Sequence, residues 1–298
     1  MSQTINIIIN KRFSKLTDGL RPLVELLHQL NNVTCEETIV DLCNAKFVSP
    51  LFVTSVQVIA DKFSKSLSFI NHSDYMCNVC AHKPVNPSLM RKSEFIALMA
   101  KYEKKTYIPI VCFPTSNETD SKDGILRVIE SLIINQAKIP SNVAQGFKYM
   151  VSEIIDNIVE HSDSKNGYIF AQSYPNLEYL DICIADSGIT LLGSYQQSGK
   201  YEIDSDIEAI SAANRGISTK NLPNAENRGF GIGTTKKMLI DGLGGQYMML
   251  SGSAVHIKSR DIDNNLNLPE NIRIDGTIVA MRIPYQKNNF NYINYIEL

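Results

Sequence analysis

Apolar positions in the first third of the chain alternate between two spacings. Short apolar runs at residues 5–9, 38–42 and 67–70 have the length and composition of buried strands. Between them, apolar residues at helical spacing predict helices over residues 20–30 and from about 50 to 63. Strands alternating with helices are typical of βαβ units, so this region is predicted to be a small α/β layer structure.

A polar stretch at residues 114–124 follows a strand predicted over 107–113 and is the best candidate for a linker. Beyond it the pattern predicts, in order, helices at 125–138 and 141–161, strands at 167–173 and 179–185, a Gly-, Ser- and Asn-rich region at 193–228, a helix ending near 241, and strands at 246–251, 254–259 and 277–283. We therefore predict two α/β domains, at residues 1–115 and 116–298.

Composition narrows the classes of partner. The 298 residues include 29 basic and 31 acidic side chains, and this near-neutral balance argues against nucleic acid or an anionic membrane as the main partner. No apolar run approaches the roughly 18–20 residues that span a bilayer, and no charged leader precedes the first apolar run. Six scattered cysteines fit reduced thiols better than a disulfide framework, so a cytoplasmic protein is expected.

The predicted helix at 141–161 carries the first candidate motif. Glu153, Asn157 and His161 follow one another at four-residue spacing and share one face, opposite an apolar stripe. A carboxylate in this position could orient or deprotonate a nucleophile, and the amide oxygen one turn away could ligate Mg²⁺. The alternative is the solvated polar face of an ordinary amphipathic helix.

Two further motifs contain glycine. Asp186-Ser187-Gly188 ends an apolar strand, where a buried carboxylate could accept a hydrogen bond from a ligand amine and Gly188 would allow a close backbone approach. The alternative is a simple Asp-x-Gly turn.

Later in the chain, Gly229, Gly231 and Gly233 run into a predicted helix, whose N-terminus and free N–H groups could hold phosphates. This spacing is neither the P-loop nor the dinucleotide fingerprint, and a structural glycine loop is the alternative.

The order of these motifs, completed by Gly276-Thr277 before a late strand, resembles the GHKL (Bergerat-fold) ATPases. This superfamily includes sensor histidine kinases, anti-sigma-factor serine kinases, gyrase-type topoisomerases and heat-shock chaperone ATPases. The resemblance covers about residues 120–298. It implies a Bergerat-fold α/β sandwich that binds ATP and Mg²⁺.

The resemblance also implies a role for each matching residue. Asn157 would ligate Mg²⁺, and Glu153 would be the catalytic base or the carboxylate that orients water. Asp186 would bind the adenine amino group, with Gly188 beside the ring and Thr277 reaching the amino group directly or through water.

The remaining residues that match the family's motifs would lie around the phosphates of ATP. Gly229, Gly231 and Gly233 would surround the phosphates, and Thr234 and His161 would be additional phosphate contacts. The segment between Gly188 and Gly229 would be the ATP lid. Within it, Lys220 and Arg228 could reach the γ-phosphate, although long polar lids carry charges in any case.

Residues 41–51 are similar to the strand–loop–helix of STAS-type domains, in a resemblance covering about 36–70. It places Ser49 near the acceptor serine of such domains, but Ser49 also precedes Pro50 as a helix N-cap would, and we favour the cap. The sequence around His28 resembles a phosphoacceptor H-box, but a strand follows it where a helical hairpin would be needed. A helix-surface histidine is therefore the preferred interpretation.

A zinc site is a further alternative at His72, Cys77, Cys80 and His82, which together supply four suitable ligand atoms. Their spacing matches no zinc-finger pattern, and we favour the packing of the cysteines in a short helix. Nucleic-acid binding through such a site would also need a basic surface, which the overall charge does not favour.

The functional expectation is a regulatory GHKL ATPase or an anti-sigma-like protein serine/threonine kinase. The acidic residue at position 153 favours catalysis over mere binding. The alternative is a nucleotide-gated protein-interaction switch with little or no turnover. The expected partners are ATP, a regulatory or phosphoacceptor protein, and a second copy of the chain in a homodimer.

Overall fold

The computed structural model describes residues 2–9, 15–33, 37–46, 48–63, 67–71, 73–115, 119–219, 230–285 and 290–296. Within these ranges the protein is mixed α/β, with one small parallel sheet and one large antiparallel sheet. No helix in these ranges combines the length and the apolar character needed to cross a membrane.

The small sheet is built from the N-terminal part of the chain. Its strands are β1 (Ser2–Asn6), β2 (Glu37–Asp41) and β3 (Leu67–Ile70), parallel and in that order. Helix α1 (Leu20–Asn31) connects the first two strands and α2 (Pro50–Lys62) connects the last two. The predicted alternation of strands and helices is therefore confirmed.

Seven strands form the large sheet: β4 (Val111–Pro114), β5 (Asn166–Tyr174), β6 (Tyr179–Asp186), β7 (Gln246–Gly252), β8 (Ala254–Lys258), β9 (Asp263–Asn267) and β10 (Ile274–Pro284). Their spatial order is β4-β5-β6-β10-β7-β8-β9, and every neighbouring pair is antiparallel. The late strand β10 therefore lies in the middle of the sheet, beside β6. This pairing brings the Asp-x-Gly turn next to Gly276-Thr277.

The remaining helices are α3 (Asp74–Asn78), α4 (Lys92–Ala100), α5 (Thr119–Gln136), α6 (Ser141–His161), α7 (Leu191–Ser198), α8 (Asp206–Asn214) and α9 (Phe230–Lys237). A π-helical turn over Met238–Gly242 follows α9, and short 3-10 turns lie at Leu16–Gly19, Pro87–Leu89, Pro175–Leu177 and Tyr292–Tyr295.

Several elements differ from the expectations. Helix α5 begins at Thr119, inside the stretch predicted to be a linker, and α7 and α8 fall within residues 191–214, for which no helix was predicted. Strand β9 was missed because all five of its residues are exposed and four are polar, so no apolar alternation marks it. The boundary between domains 1–115 and 116–298 stays a prediction.

Both faces of the large sheet are buried. Tyr168 of β5 pairs with Ala185 of β6, so their side chains share one face, and α2 packs on that face against β5, β6 and β10. Asp186 follows Ala185 and therefore points to the opposite face, where α6 and α9 lie. One continuous hydrophobic core includes residues of α2, the sheet and α6.

The face under α2 contains a buried ion pair. Arg282 donates from Nε to Oδ1 of Asp181 at 2.7 Å and from a terminal nitrogen to Oδ2 at 2.8 Å, and its guanidinium lies 3.9 Å from the centroid of the Tyr179 ring. The side chains of Arg282 and Asp181 are only 6% and 2% exposed. Neither charge can recover hydration if its partner is removed.

We expect Arg282→Met to lower the free energy of unfolding by about 3–5 kcal/mol, because it leaves the Asp181 carboxylate buried without its counter-charge. Combining it with Asp181→Leu should recover most of that loss. Chemical denaturation measures both effects. Arg21→Met, at an exposed ion pair with Glu25, is the control and should change stability by less than about 1 kcal/mol. A single Arg282 variant as stable as the wild type would contradict this account.

Candidate functional site

A pocket of about 230 Å³ lies on the α6 face of the large sheet. Its walls come from α6, from the ends of β6 and β10, from strand β7, from residues 189–219 and from the first turn of α9. Six of the predicted site residues line it: the catalytic candidate Glu153 and the nucleotide-binding candidates Asn157, His161, Asp186, Gly231 and Thr277. Segments separated by more than 100 residues along the chain thus meet at one site.

Helix α6 supplies the polar wall of the pocket. Its apolar stripe is buried, which fixes the rotation of the helix, and the face with Glu153, Asn157 and His161 is left half-buried beside the cavity. The amide nitrogen of Asn157 donates to the backbone carbonyl of Glu153 at 2.7 Å. The amide oxygen Oδ1 is therefore the atom of Asn157 that can ligate a cation.

Asp186 is the most buried charged group of the pocket, at 1% exposure. Its Oδ1 accepts the Gly188 N–H at 2.9 Å and its Oδ2 accepts the Thr277 N–H at 3.2 Å. Burial raises the pKa of Asp186 to about 7, although both hydrogen bonds oppose the shift. Because each carboxylate oxygen can accept more than one hydrogen bond, Asp186 is suited to accept another from a ligand amine.

The turns around Asp186 require glycine. A Cβ on Gly188 would lie 1.8 Å from the carbonyl oxygen of Ser162, so the chain can pass there only without a side chain. Gly276 has a φ of +68°, and a Cβ on it would lie 2.1 Å from the carbonyl oxygen of Asp186. Gly188 itself lies behind the pocket wall, where it shapes the turn.

Apolar side chains surround the rest of the cavity next to Asp186. Met249 and Val279 come from the sheet, and Ile158 and Ile189 come from α6 and from the segment after β6. Tyr247 also lines the pocket, and its buried hydroxyl has no hydrogen-bond partner among the described residues. An apolar cavity with one deep acceptor fits a planar ring that carries an amine.

The glycine-rich segment reaches the pocket at one point. Gly231 lies so close to α6 that a Cβ there would be 2.1 Å from Oε2 of Glu153. Gly233 has open space around it, and Thr234 is buried and hydrogen-bonds the Tyr149 side chain rather than lining the pocket. Lys220, Arg228 and Gly229 lie outside the described residues.

Residues from the segment 189–219 form a further wall of the pocket. Tyr195 of α7 donates its hydroxyl proton to the Ile217 carbonyl at 2.5 Å, and Oγ1 of Thr219 lies 3.1 Å from Nδ1 of His161. Lys236 of α9 donates to the carbonyl oxygen of Asn214, at the end of α8, and to its side-chain oxygen at 2.8 Å. Burial lowers the pKa of Lys236 to about 8.

Tyr195 and Lys236 were missed by the sequence reasoning. Tyr195 lies inside the segment predicted to be the lid and Lys236 at the end of the glycine-rich motif, but each makes a hydrogen bond to a residue 22 positions away that no local pattern signals. The only available signal was the position of Lys236 directly after the glycine-rich segment.

The N-terminal candidates lie away from this pocket. Ser49 is 4% exposed and its Oγ accepts the Phe52 N–H, which confirms the N-cap interpretation. His28 is exposed on the surface of α1. For the zinc alternative, His72 lies outside the described residues. The rest of the described chain, including Cys77, Cys80 and His82, contains no group of three or more His, Cys, Asp or Glu side chains placed to hold a metal ion.

No protein-family model matches this chain, and no curated protein matches it either. The functional interpretation therefore depends on the geometry of the pocket.

A carboxyl group with a pKa near 7 makes a spectroscopic prediction. Between about pH 6 and pH 8, infrared difference spectra should show loss of protonated carboxyl, since Asp186 ionises in this range. Burial also raises the pKa of Glu130 to about 7, so Glu130 contributes a second band. Asp186→Asn should remove one component and Glu130→Gln the other. An unchanged spectrum in Asp186→Asn would contradict the assignment.

The glycine at position 188 makes a stability prediction. Gly188→Ala should lower the free energy of unfolding by at least about 1–3 kcal/mol, because its Cβ would overlap the Ser162 carbonyl. Gly233→Ala is the matched control. It lies inside α9, and apart from the backbone of α9 itself no atom of the described residues lies within 4 Å of the new methyl group, so it should leave stability unchanged or raise it by about 0.5–1 kcal/mol. Equal effects of the two substitutions on thermal unfolding would refute the steric argument.

Proposed function

We propose that this protein binds ATP and Mg²⁺ as a GHKL-type regulatory ATPase or anti-sigma-like protein serine/threonine kinase, with a Bergerat-fold domain over residues 116–298. The observation that carries the proposal is the meeting of three distant motifs in one pocket. Glu153 and Asn157 come from α6, Asp186 from the end of β6 and Thr277 from β10. An Asp-x-Gly turn or a polar helix face with only a structural role would not require this convergence.

The adenine end of the site is the apolar cavity beside Asp186. The exocyclic amine of adenine would donate to the Asp186 carboxylate, and the ring would pack against Met249 and Val279. Thr277 lies on the same side and would reach the amine directly or through water. A ligand that donates to Asp186 favours the ionised carboxylate, so ATP affinity should rise with pH through the neutral range.

The phosphate end is the polar wall formed by α6. Mg²⁺ prefers oxygen ligands, and the amide oxygen of Asn157 is such a ligand and is free of the bond that its nitrogen makes to Glu153. Bound Mg²⁺ would neutralise charge on the phosphates. The Glu153 carboxylate would then orient or deprotonate the attacking water or hydroxyl group. His161 and Gly231 line the same wall and would contact the phosphates.

Other predicted phosphate ligands lie outside the described residues. Lys220, Arg228 and Gly229 remain proposed contacts of the γ-phosphate and its neighbours. Gly188 would shape the turn beside the ring, while Gly233 and Thr234 would support the glycine-rich segment from α9.

One observation favours the switch as a second candidate. The contact between His161 and Thr219 joins the helix of the proposed Mg²⁺ ligand to the segment proposed as the lid. A nucleotide bound at α6 would therefore change the surroundings of this segment directly. If the protein is such a switch, the ordered lid recruits a protein partner, and ATP is turned over little or not at all.

The remaining parts of the proposal concern the N-terminal region, the cellular location and the protein partners. The parallel sheet with α1 and α2 supports a STAS-like regulatory domain, although Ser49 as a buried cap is not available as its phosphoacceptor. Among the described residues, Cys43, Cys80, Cys112 and Cys183 form no disulfide, which supports a cytoplasmic location. A regulatory or phosphoacceptor protein and a second copy of the chain remain the proposed partners.

Calorimetric titration with ATP, with and without Mg²⁺, tests the proposal. The wild type should bind in an Mg²⁺-dependent manner, and Asn157→Ala and Asp186→Ala should each weaken binding at least about tenfold, or about 1.4 kcal/mol. Asn142→Ala is the matched control, because Asn142 lies in the first turn of the same helix and donates to the Phe290 carbonyl, away from the pocket. Absence of binding at millimolar ATP would reject the nucleotide site.

Glu153→Gln separates the enzyme from the switch. An enzyme should lose turnover by about 10²–10⁴-fold while its ATP affinity stays within a few fold of the wild-type value, since the carboxylate acts on the reacting group. Phosphate release and phosphotransfer measure the turnover. Mg²⁺-dependent binding by a wild type that shows neither reaction would favour the switch.

A further inference from the structure

Helix α2 ends at the same edge of the large sheet as the two turns that hold Asp186. The helix packs on the sheet face opposite the pocket, with residues 50–59 buried, and its last turn carries Asp61 and Lys62. β6 ends at Asp186 and β10 begins at Ile274, and these antiparallel strands are neighbours. The last turn of α2 is therefore placed to contact both turns.

Asp61 contacts the first of these turns. Its Oδ2 accepts a hydrogen bond from Ser187 at 2.9 Å and another from the hydroxyl of Tyr168 at 2.8 Å. Ser187 stands between Asp186 and Gly188, the two residues that form the Asp-x-Gly turn. Tyr168 comes from β5 and is buried, so it fixes the Asp61 carboxylate against the sheet.

Lys62 contacts the second turn. Its Nζ lies 2.6 Å from Oδ2 of Asp275, with the two side chains 42% and 31% exposed. Asp275 precedes Gly276, whose positive φ turns the chain, and Thr277, whose N–H donates to Asp186. Two successive residues of α2 thus hold the two turns whose N–H groups bind the same buried carboxylate.

We propose that Asp61 and Lys62 are positioning residues through which the N-terminal region sets the nucleotide affinity of the pocket. Neither residue is among those that line the pocket, and they act through Ser187 and Asp275. Displacing the end of α2 would shift Gly188 and Thr277 and so change how Asp186 presents its oxygens to the adenine amine. This inference rests on the proposed ATP site and describes how that site would be regulated. A partner that binds the N-terminal region and displaces α2 would change the ATP affinity from the opposite face of the sheet.

A charge swap tests the role of Lys62. Lys62→Glu and Asp275→Lys should each weaken Mg²⁺-ATP binding about fivefold or more in calorimetric titration, within the usual range of coupling between sites. The double variant with both substitutions restores an opposite-charge pair and should recover most of the affinity. Arg21→Glu is the matched charge reversal, at an exposed pair with Glu25 on α1, and should leave the affinity unchanged.

A double-mutant cycle tests the role of Asp61. Asp61→Ala and Ser187→Ala remove the two ends of one hydrogen bond, so their effects on ATP affinity should be non-additive, with the double variant no weaker than the weaker single variant. Asp61→Asn keeps an acceptor oxygen and should retain most of the affinity. Amide exchange of Gly188 and Thr277 in the ligand-free protein should accelerate in Asp61→Ala and Lys62→Glu, and thermal unfolding verifies that each variant is folded.

The outcomes separate this inference from the proposed function. A wild type that binds no Mg²⁺-ATP overturns the proposed function and this inference with it. A wild type that binds, combined with unchanged affinity in Lys62→Glu and Asp61→Ala, overturns the positioning role alone. The positioning role is also overturned if the Lys62→Glu/Asp275→Lys double variant binds Mg²⁺-ATP as weakly as the single variants and the effects of Asp61→Ala and Ser187→Ala are additive.

Discussion

The large antiparallel sheet must be covered on both faces, because β5, β6, β7 and β10 are buried along nearly their whole length on either side. Apolar side chains alternate to opposite faces of a strand, so a strand that is apolar throughout needs a layer of helices on each face. Helix α6 provides one layer and α2 provides the other. This requirement joins the N-terminal region to the rest of the protein in one hydrophobic core.

The two layers differ in what they add to the sheet. The face under α2 contains the Asp181–Arg282 ion pair and the hydrogen bond from Tyr168 to Asp61, so its charged groups have partners. The face under α6 contains the pocket, where Asp186 keeps acceptor capacity and the hydroxyl of Tyr247 has no partner among the described residues. Buried polar groups without full satisfaction are costly, and they are therefore informative about where a ligand would bind.

Asp186 links these two faces physically. Its carboxylate is held by N–H groups of two turns, and those turns are held from the other side of the sheet by the end of α2. Gly276 and Gly188 both pass so close to neighbouring backbone carbonyls that neither position has room for a side chain, so these turns have little space in which to relax independently. A small displacement of α2 is therefore transmitted to the carboxylate instead of being absorbed by the loops.

The sequence by itself determined the local elements and the candidate residues. The apolar period predicted the helix at 141–161, which is α6 with the same bounds, because four-residue spacing and a terminal proline act over short distances. The motif order marked Glu153, Asn157 and Asp186, since the residue types and their spacing are visible without a structure. Strand β9 was missed because its exposed, mostly polar residues carry no apolar period, and α7 and α8 were missed because they are short and rich in small and polar residues.

Only the tertiary structure decided which residues meet. The position of β10 between β6 and β7 brings Thr277 to Asp186 across 91 residues of chain, and α2 reaches Ser187 across 126. Strand pairing and the burial of opposite sheet faces are long-range constraints, and no local pattern along the chain records them. The contacts of Asp61 and Lys62 with the pocket turns are the clearest example: each side chain is an ordinary charged residue at a helix end until the sheet brings its partner to it.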